Sequence, residues 1–154
     1  MKKFNDSNIC CYIAAGAFNE QQTKDRNSVR DTLADLKINY ISPLEEENCD
    51  AQSSIDVQEK VFNNNIESIN SCSFLIASTT GKDMGTCFEC GYAYSKNIPI
   101  IYFFPYDYPF NLMLARSGIC VVKSESELRN LLTTLIDNNF DFSKSYNVFN
   151  GIIE

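Results

Sequence analysis

The chain has 154 residues, of which 44% are hydrophobic, with a formal net charge of -7, a sequence pI near 4.6 and no histidine. That length suits one globular domain with a single core, and the acidic balance argues against a nucleic-acid or anionic-membrane surface, either of which needs a basic face. The missing imidazole removes Ser-His-Asp and Cys-His catalysis and the commonest general base, which leaves carboxylate, hydroxyl and thiol chemistry.

At the N-terminus, Asn5, Asp6, Ser7 and Asn8 separate the basic residues from the first apolar segment. The segment therefore reads as a strand and not as a signal peptide, and no apolar run approaches membrane-span length; a cytoplasmic protein is expected. Ile9 to Ala15 is that strand, central by its apolar content, and it runs into Gly16, Ala17 and Phe18. Gly16 fits a tight strand-to-helix turn. With no GxGxxG pattern, a dinucleotide is disfavoured. Asn19 and Gln22 can act as a capping pair for a helix ending near Lys37, with Val29, Leu33 and Leu36 on its buried face. Tyr40 and Ile41 form a short second strand.

From Ser42 to Ser54 the chain is acidic and irregular, with Glu45, Glu46, Glu47 and Asp50 in a solvated loop. A helix follows whose apolar stripe is Ile55, Val57, Val61, Phe62, Ile66 and Ile69; it ends near Ser71, and the run Asn63, Asn64 and Asn65 reads as surface. Phe74 to Ala77 is strand three. A loop from Ser78 to Gly85 leads into a helix from about Thr86 to Ser95, stopped by Asn97 ahead of Ile98-Pro99. Strand four runs from Ile98 to Phe104, Tyr106 to Phe110 form a turn, and Asn111, Leu112 and Met113 begin a short element. Strand five is Ile119 to Val122. Ser124 and Glu127 make a capping box for an amphipathic helix bearing Leu128, Leu131, Leu132, Leu135 and Ile136. The tail, 138–154, carries aromatic residues without a period and reads as an arm that packs on a neighbour or as a frayed end. Strand and helix alternate throughout. This predicts a doubly wound α/β fold, flavodoxin-like or Rossmann-like, with a five-stranded parallel sheet and helices on both faces, in a single domain 1–154.

Seven cysteines, an odd number, fall mostly beside apolar neighbours and read as reduced, buried thiols. Cys87 and Cys90 have CxxC spacing, but Glu89 stands between them and no second pair follows, so neither zinc nor redox chemistry is assigned. No metal and no cofactor is called for.

In open parallel sheets, ligands sit beyond the carboxyl ends of the strands, so Asp83 in the loop and Glu89 in the first turns of the next helix should border the crevice. Placed about three residues into that helix, Glu89 would be favoured in its ionised form by the helix dipole, as suits a nucleophile or base. Gly85 and Gly91 remove side chains on either side of it. Taken alone, D-x-G-x-x-x-E at a helix start also fits a cap plus a surface acid.

Three segments in order, YIAAGAFNEQQ (Tyr12 to Gln22), DMGTCFECGYAYSKNIPII (Asp83 to Ile101) and PFNLM (Pro109 to Met113), resemble the nucleoside 2-deoxyribosyltransferase family over nearly the whole chain. The resemblance implies exchange of the nucleobase of a 2'-deoxynucleoside for a free nucleobase. Glu89 would be the nucleophile that forms a covalent deoxyribosyl-enzyme, Tyr12 would orient it, and Asp83 would contact the nucleoside. Asn111 would be supplied to the neighbouring subunit's site in a homo-oligomer, a dimer or hexamer. Gly16, Phe18, Gly85 and Met113 are carried over as substrate-binding positions, Glu47 as a contact to the base edge, and Glu154 as a terminus that can reach a neighbouring site. Asn65 stands where many members have an aspartate that helps to protonate the leaving base, and an amide cannot supply that proton. Two other readings share the fold. One is a deoxynucleoside or deoxynucleotide N-glycosidase in which water replaces the acceptor base; the other is a non-catalytic nucleotide-binding module.

Overall fold

The computed structural model describes residues 8–43, 49–144, 146 and 148–154. Five strands, β1 (Cys10–Ala15), β2 (Asn39–Ile41), β3 (Phe74–Ser78), β4 (Ile100–Phe103) and β5 (Cys120–Val122), form one parallel sheet in the order β2-β1-β3-β4-β5. Every neighbouring pair is parallel, with Tyr12 opposite Leu75 and Leu75 opposite Ile100. The helices are α1 (Glu20–Asp35), α2 (Ile55–Ser71), α3 (Met84–Ser95), α4 (Leu112–Ser117) and α5 (Glu125–Asp137), and a 3-10 turn, Thr80–Lys82, precedes α3. The doubly wound sheet expected from the alternation is present.

Pleating sends alternate residues to opposite faces, and each face has its own core. Cys11, Ile13, Phe74, Ile76, Ile101 and Phe103 pack against Val29 and Leu33 of α1 and Leu128, Leu132 and Leu135 of α5. Tyr12, Ala14, Leu75, Ala77, Ile100 and Tyr102 pack against Ile69 of α2, Cys90 and Ala93 of α3 and Ala115 of α4. The central strands are covered on both sides and therefore read as continuous apolar runs in the sequence. Each fully buried leucine of α5 is worth about 1.5–3 kcal/mol, so this helix holds one face in place.

The caps follow their residues closely. Asn19 Oδ1 accepts from Gln22 N at 2.9 Å, and Ser124 Oγ accepts from Glu127 N at 3.1 Å. In both boxes the returning side chain bonds one residue further upstream than the helix cap, Gln22 Oε1 accepting from Phe18 N and Glu127 Oε2 from Lys123 N. Asn97 ends α3 in the left-handed region, with φ 56.

Two expectations change. The apolar stripe expected for α2 buries only Ile69, while Ile55, Val57 and Phe62 are exposed. Helical period reports which residues share a face and not what covers that face, and here only the last turn of α2 reaches the core. The tail runs back over its own chain: Phe140 and Phe142 lie against Phe74, and Phe149 packs on Phe110. Its last residues pair with the segment before α4, Phe110 N donating to Ile152 O at 2.9 Å and Glu154 N to Phe110 O at 3.1 Å.

Candidate active site

Strand order reverses between β1 and β3, and in open parallel sheets it is beyond the carboxyl ends at such a point that ligands sit. Tyr12, on the face shared with α3, is fully buried, and its phenol donates to Glu89 Oε1 at 2.6 Å. The pairing is fixed from both sides, because β1 is a central strand and Cys90 and Ala93 seat α3 on the same face.

Asp83 caps α3. Its Oδ2 accepts from Thr86 N at 2.8 Å and from Thr86 Oγ1 at 2.6 Å, so the helix begins at Met84, two residues earlier than the sequence suggests. Glu89 is consequently in the second turn, where the helix dipole weakens. Its carboxyl is partly buried, and that desolvation raises its pKa from 4.5 to about 7; the Tyr12 hydrogen bond pulls it down and the charge of Asp83 pushes it further up. The expectation that the dipole keeps Glu89 ionised is thus overturned, because burial is the larger effect. A carboxylate held near neutrality and aimed by a phenol is a charged group that the fold has made costly, as expected of a nucleophile or base in a crevice.

The turn before Asp83 is tightly constrained. Gly81 and Lys82 both occupy the left-handed region, with φ of 73 and 55. Glycine adopts this at no steric cost, whereas lysine does so at roughly 1 kcal/mol or more. Gln22 Nε2 holds the turn by donating to Thr80 O at 2.9 Å, and Lys82 Nζ pairs with Glu154 Oε2 at 3.2 Å.

The other predicted positions spread around this centre. Gly16 is buried beneath Gln22, whose side chain a Cβ at Gly16 would meet at 2.9 Å. Phe18 follows in the same loop, largely exposed. Gly85 is exposed in the first turn of α3, and a Cβ there would meet only Asp83; at Gly91 it would meet nothing within 4 Å among the described residues. Asn65, half-buried, lies on α2 between two contacts to α3, the Phe62–Phe88 ring pair at 5.8 Å and the Tyr92 Oη to Asn70 Oδ1 bond at 3.0 Å. Glu89 lies between Phe88 and Tyr92 on the facing helix. Glu47 falls outside the described residues.

Asn111 is the N-cap of α4, its Oδ1 accepting from Met113 N at 3.0 Å and Leu114 N at 3.3 Å. With Met113, Lys82 and Glu154 it lines a cavity of about 610 Å³ whose lining includes Cys87 of α3 but neither Tyr12 nor Glu89.

A phenol-oriented glutamate at the switch point, behind an aspartate-capped helix, belongs to a recognisable sequence class. The profile described as nucleoside 2-deoxyribosyltransferase matches residues 11–132. The chain belongs to the nucleoside 2-deoxyribosyltransferase family. Among solved structures it is similar to the 2-deoxyribosyltransferase of the psychrotolerant bacterium Bacillus psychrosaccharolyticus, at 27% identity and a TM-score of 0.72 over 79% of this chain and 90% of that one. Two less identical structures share the fold. The 2-desoxiribosyltransferase of Leishmania mexicana is 23% identical with a TM-score of 0.60, covering 81% of this chain and 97% of its own. The CMP N-glycosidase of Clostridium botulinum is 16% identical with a TM-score of 0.55, covering 80% and 98%. Comparison with curated proteins gives no match. Two of the three blocks that carry the resemblance to the nucleoside 2-deoxyribosyltransferase family meet in the Tyr12–Glu89 pair, whereas the links from α1 to the loops lie outside those pairings. Their signal was present: Gln22 and Asp25 continue the buried stripe of Val29, Thr32 and Leu33, polar residues where apolar ones belong. Among the described residues, no helix is long and apolar enough to cross a membrane.

Proposed function

We propose that this protein exchanges the nucleobase of a 2'-deoxynucleoside through a covalent intermediate on Glu89. The observation that carries the reading is the 2.6 Å bond from Tyr12 Oη to Glu89 Oε1. In the first displacement, a carboxylate oxygen of Glu89 bonds to C1' as the C1'–N bond breaks, and the electron pair leaves with the base, which takes up a proton. In the second, a nitrogen of the incoming base attacks C1', displaces Glu89 and loses its proton, so that configuration is retained. The transition state has oxocarbenium character. The absence of a 2'-hydroxyl makes that cation easier to form, and an ionised Glu89 stabilises it directly.

Asp83, beside the nucleophile, is assigned to nucleoside contact, and Gly85 leaves its approach open. Asn65, half-buried on α2, offers a hydrogen bond to the base but no acidic proton, so Asp83 or water supplies it. Asn111 and Met113 line a cavity with Lys82, Cys87 and Glu154, and the family resemblance assigns them to the site of a second copy of the chain. The small-molecule partners are then a 2'-deoxynucleoside and a free nucleobase, handled by a homo-oligomer.

Incubation with deoxyinosine and free adenine tests the reading. Deoxyadenosine is the expected product. Free hypoxanthine and deoxyribose without deoxyadenosine would replace the transferase with an N-glycosidase, and no reaction at all would leave a binding module.

A further inference from the structure

α1 buries a single stripe whose half nearest the crevice is polar. Asp25, in that half, is 2% exposed. Its Oδ2 accepts from Thr80 Oγ1 at 2.5 Å, from Ser78 Oγ at 3.4 Å and from the phenol of Tyr106, while Oδ1 accepts from Gln21 Nε2 at 3.1 Å. A buried carboxylate with several neutral donors keeps those donors firmly, since releasing any one leaves charge uncompensated. Apart from Gln21 of α1 itself, the donors come from three separate segments: the end of β3, the 3-10 turn and the loop after β4. Tyr106 is itself ordered by Phe104, edge-on at 5.4 Å, and by Tyr108, stacked at 5.2 Å. Burial, with Asp25 beside it, raises the Tyr106 phenol to about 12, so it remains a donor at neutral pH.

Ser78 follows Ala77 and points to the face of the sheet opposite Tyr12 and Glu89, so Asp25 does not share the substrate's side. What it does share is the backbone. Thr80 opens the strained turn that delivers Asp83, and Tyr106 begins the loop that delivers Asn111. We propose that Asp25 is a positioning residue, whose buried carboxylate ties the Thr80 turn and the loop after β4 to α1 and so fixes Asp83 at the chain's own site and Asn111 for the site of the neighbouring subunit. The assignment of those two residues to the nucleoside rests on the transferase reading.

The test uses Tyr106→Phe, which keeps the ring packing and removes one donor, alongside Asp25→Asn. Hydrogen exchange of the amides in 79–83 and 105–111 reads loop anchoring whether or not the protein is a transferase. Those amides should exchange faster in both variants, with α5 unchanged. In the exchange assay, the deoxynucleoside KM should rise roughly tenfold, the equivalent of one charge-assisted hydrogen bond, with kcat little altered. The double variant should be no worse than Asp25→Asn alone, because both changes release the same loop. Unchanged loop exchange would overturn the proposal, as would a fall in kcat at constant KM in an active enzyme. Should the wild-type protein catalyse no exchange, the transferase reading fails separately, and loop exchange alone decides whether Asp25 anchors the two loops.

Discussion

Tyr12 and Glu89, 77 residues apart in the chain, meet in a 2.6 Å hydrogen bond that offsets part of the cost of burying the glutamate. Tyr12→Phe removes the contribution that favours the charged form. Glu89 must be ionised to attack C1', so activity in the wild type should fall as pH drops through about 7. In Tyr12→Phe this acid limb should move upward by about one pH unit or more, with a corresponding loss of kcat/KM at neutral pH. A pH profile of kcat/KM for both proteins checks it. An unmoved limb would mean that the phenol does not tune Glu89.

The same shift has a signature in stability. An ordinary carboxyl titrates near 4.5 and folded Glu89 near 7, so between these values the folded state holds a proton that the unfolded chain has released. The stabilising contribution of neutral Glu89 is complete below about 4.5 and is lost as pH rises through about 7. Glu89→Gln keeps an acceptor for Tyr12 and carries no charge. It should match the wild type at pH 4 and exceed it above pH 7.5 by about 1–3 kcal/mol, while losing base exchange. Denaturant unfolding at the two pH values measures the difference.

Asp83 has two effects that substitution separates. As N-cap of α3 it accepts from Thr86 N, and as a charge it raises the pKa of Glu89. Asp83→Asn keeps the acceptor and removes the charge, so stability should hold while the acid limb moves to lower pH. Asp83→Ala loses the cap as well and should be about 1 kcal/mol less stable than the asparagine variant. Thermal unfolding of the pair, read beside their pH profiles, distinguishes cap from charge.

The alternation of strand and helix was legible because a continuous apolar run, as at Phe74 to Ala77, and a period-3.6 stripe, as at Leu128 to Leu135, report directly on burial, whereas the order of the strands in the sheet depends on pairing that no local pattern carries. Boundaries slipped where a cap did two jobs: Asp83 reads as a loop residue with Gly85 after it, yet it starts the helix. The α2 stripe misled because period cannot say whether Phe62 meets the sheet, a second chain or water. The environment of Glu89 was beyond a local reading, since its pKa is set by Tyr12 from β1 and by overall burial. Asp25 stands in the sequence as a polar residue on the buried stripe of α1, but its partners, 53, 55 and 81 residues away, lie beyond a local reading.

Asn111 carries the last prediction. Its Oδ1 is committed to the α4 cap, so only its amide N–H groups remain to reach a substrate. Asn111→Ala would therefore confuse loss of a cap with loss of a donor, whereas Asn111→Asp preserves the cap and removes the donor. If that donor serves the adjacent subunit, Asn111→Asp and Glu89→Ala should each be inactive alone but complement each other when unfolded together and refolded. In a two-fold pairing, half the assemblies are mixed and each mixed pair has one intact site, so about a quarter of wild-type activity should return. Assay of the refolded mixture against each variant refolded separately gives the answer. Recovery would require Glu89 and Asn111 to act across a subunit boundary, and no recovery from subunits shown to have mixed would place the Asn111 donor in its own subunit's site.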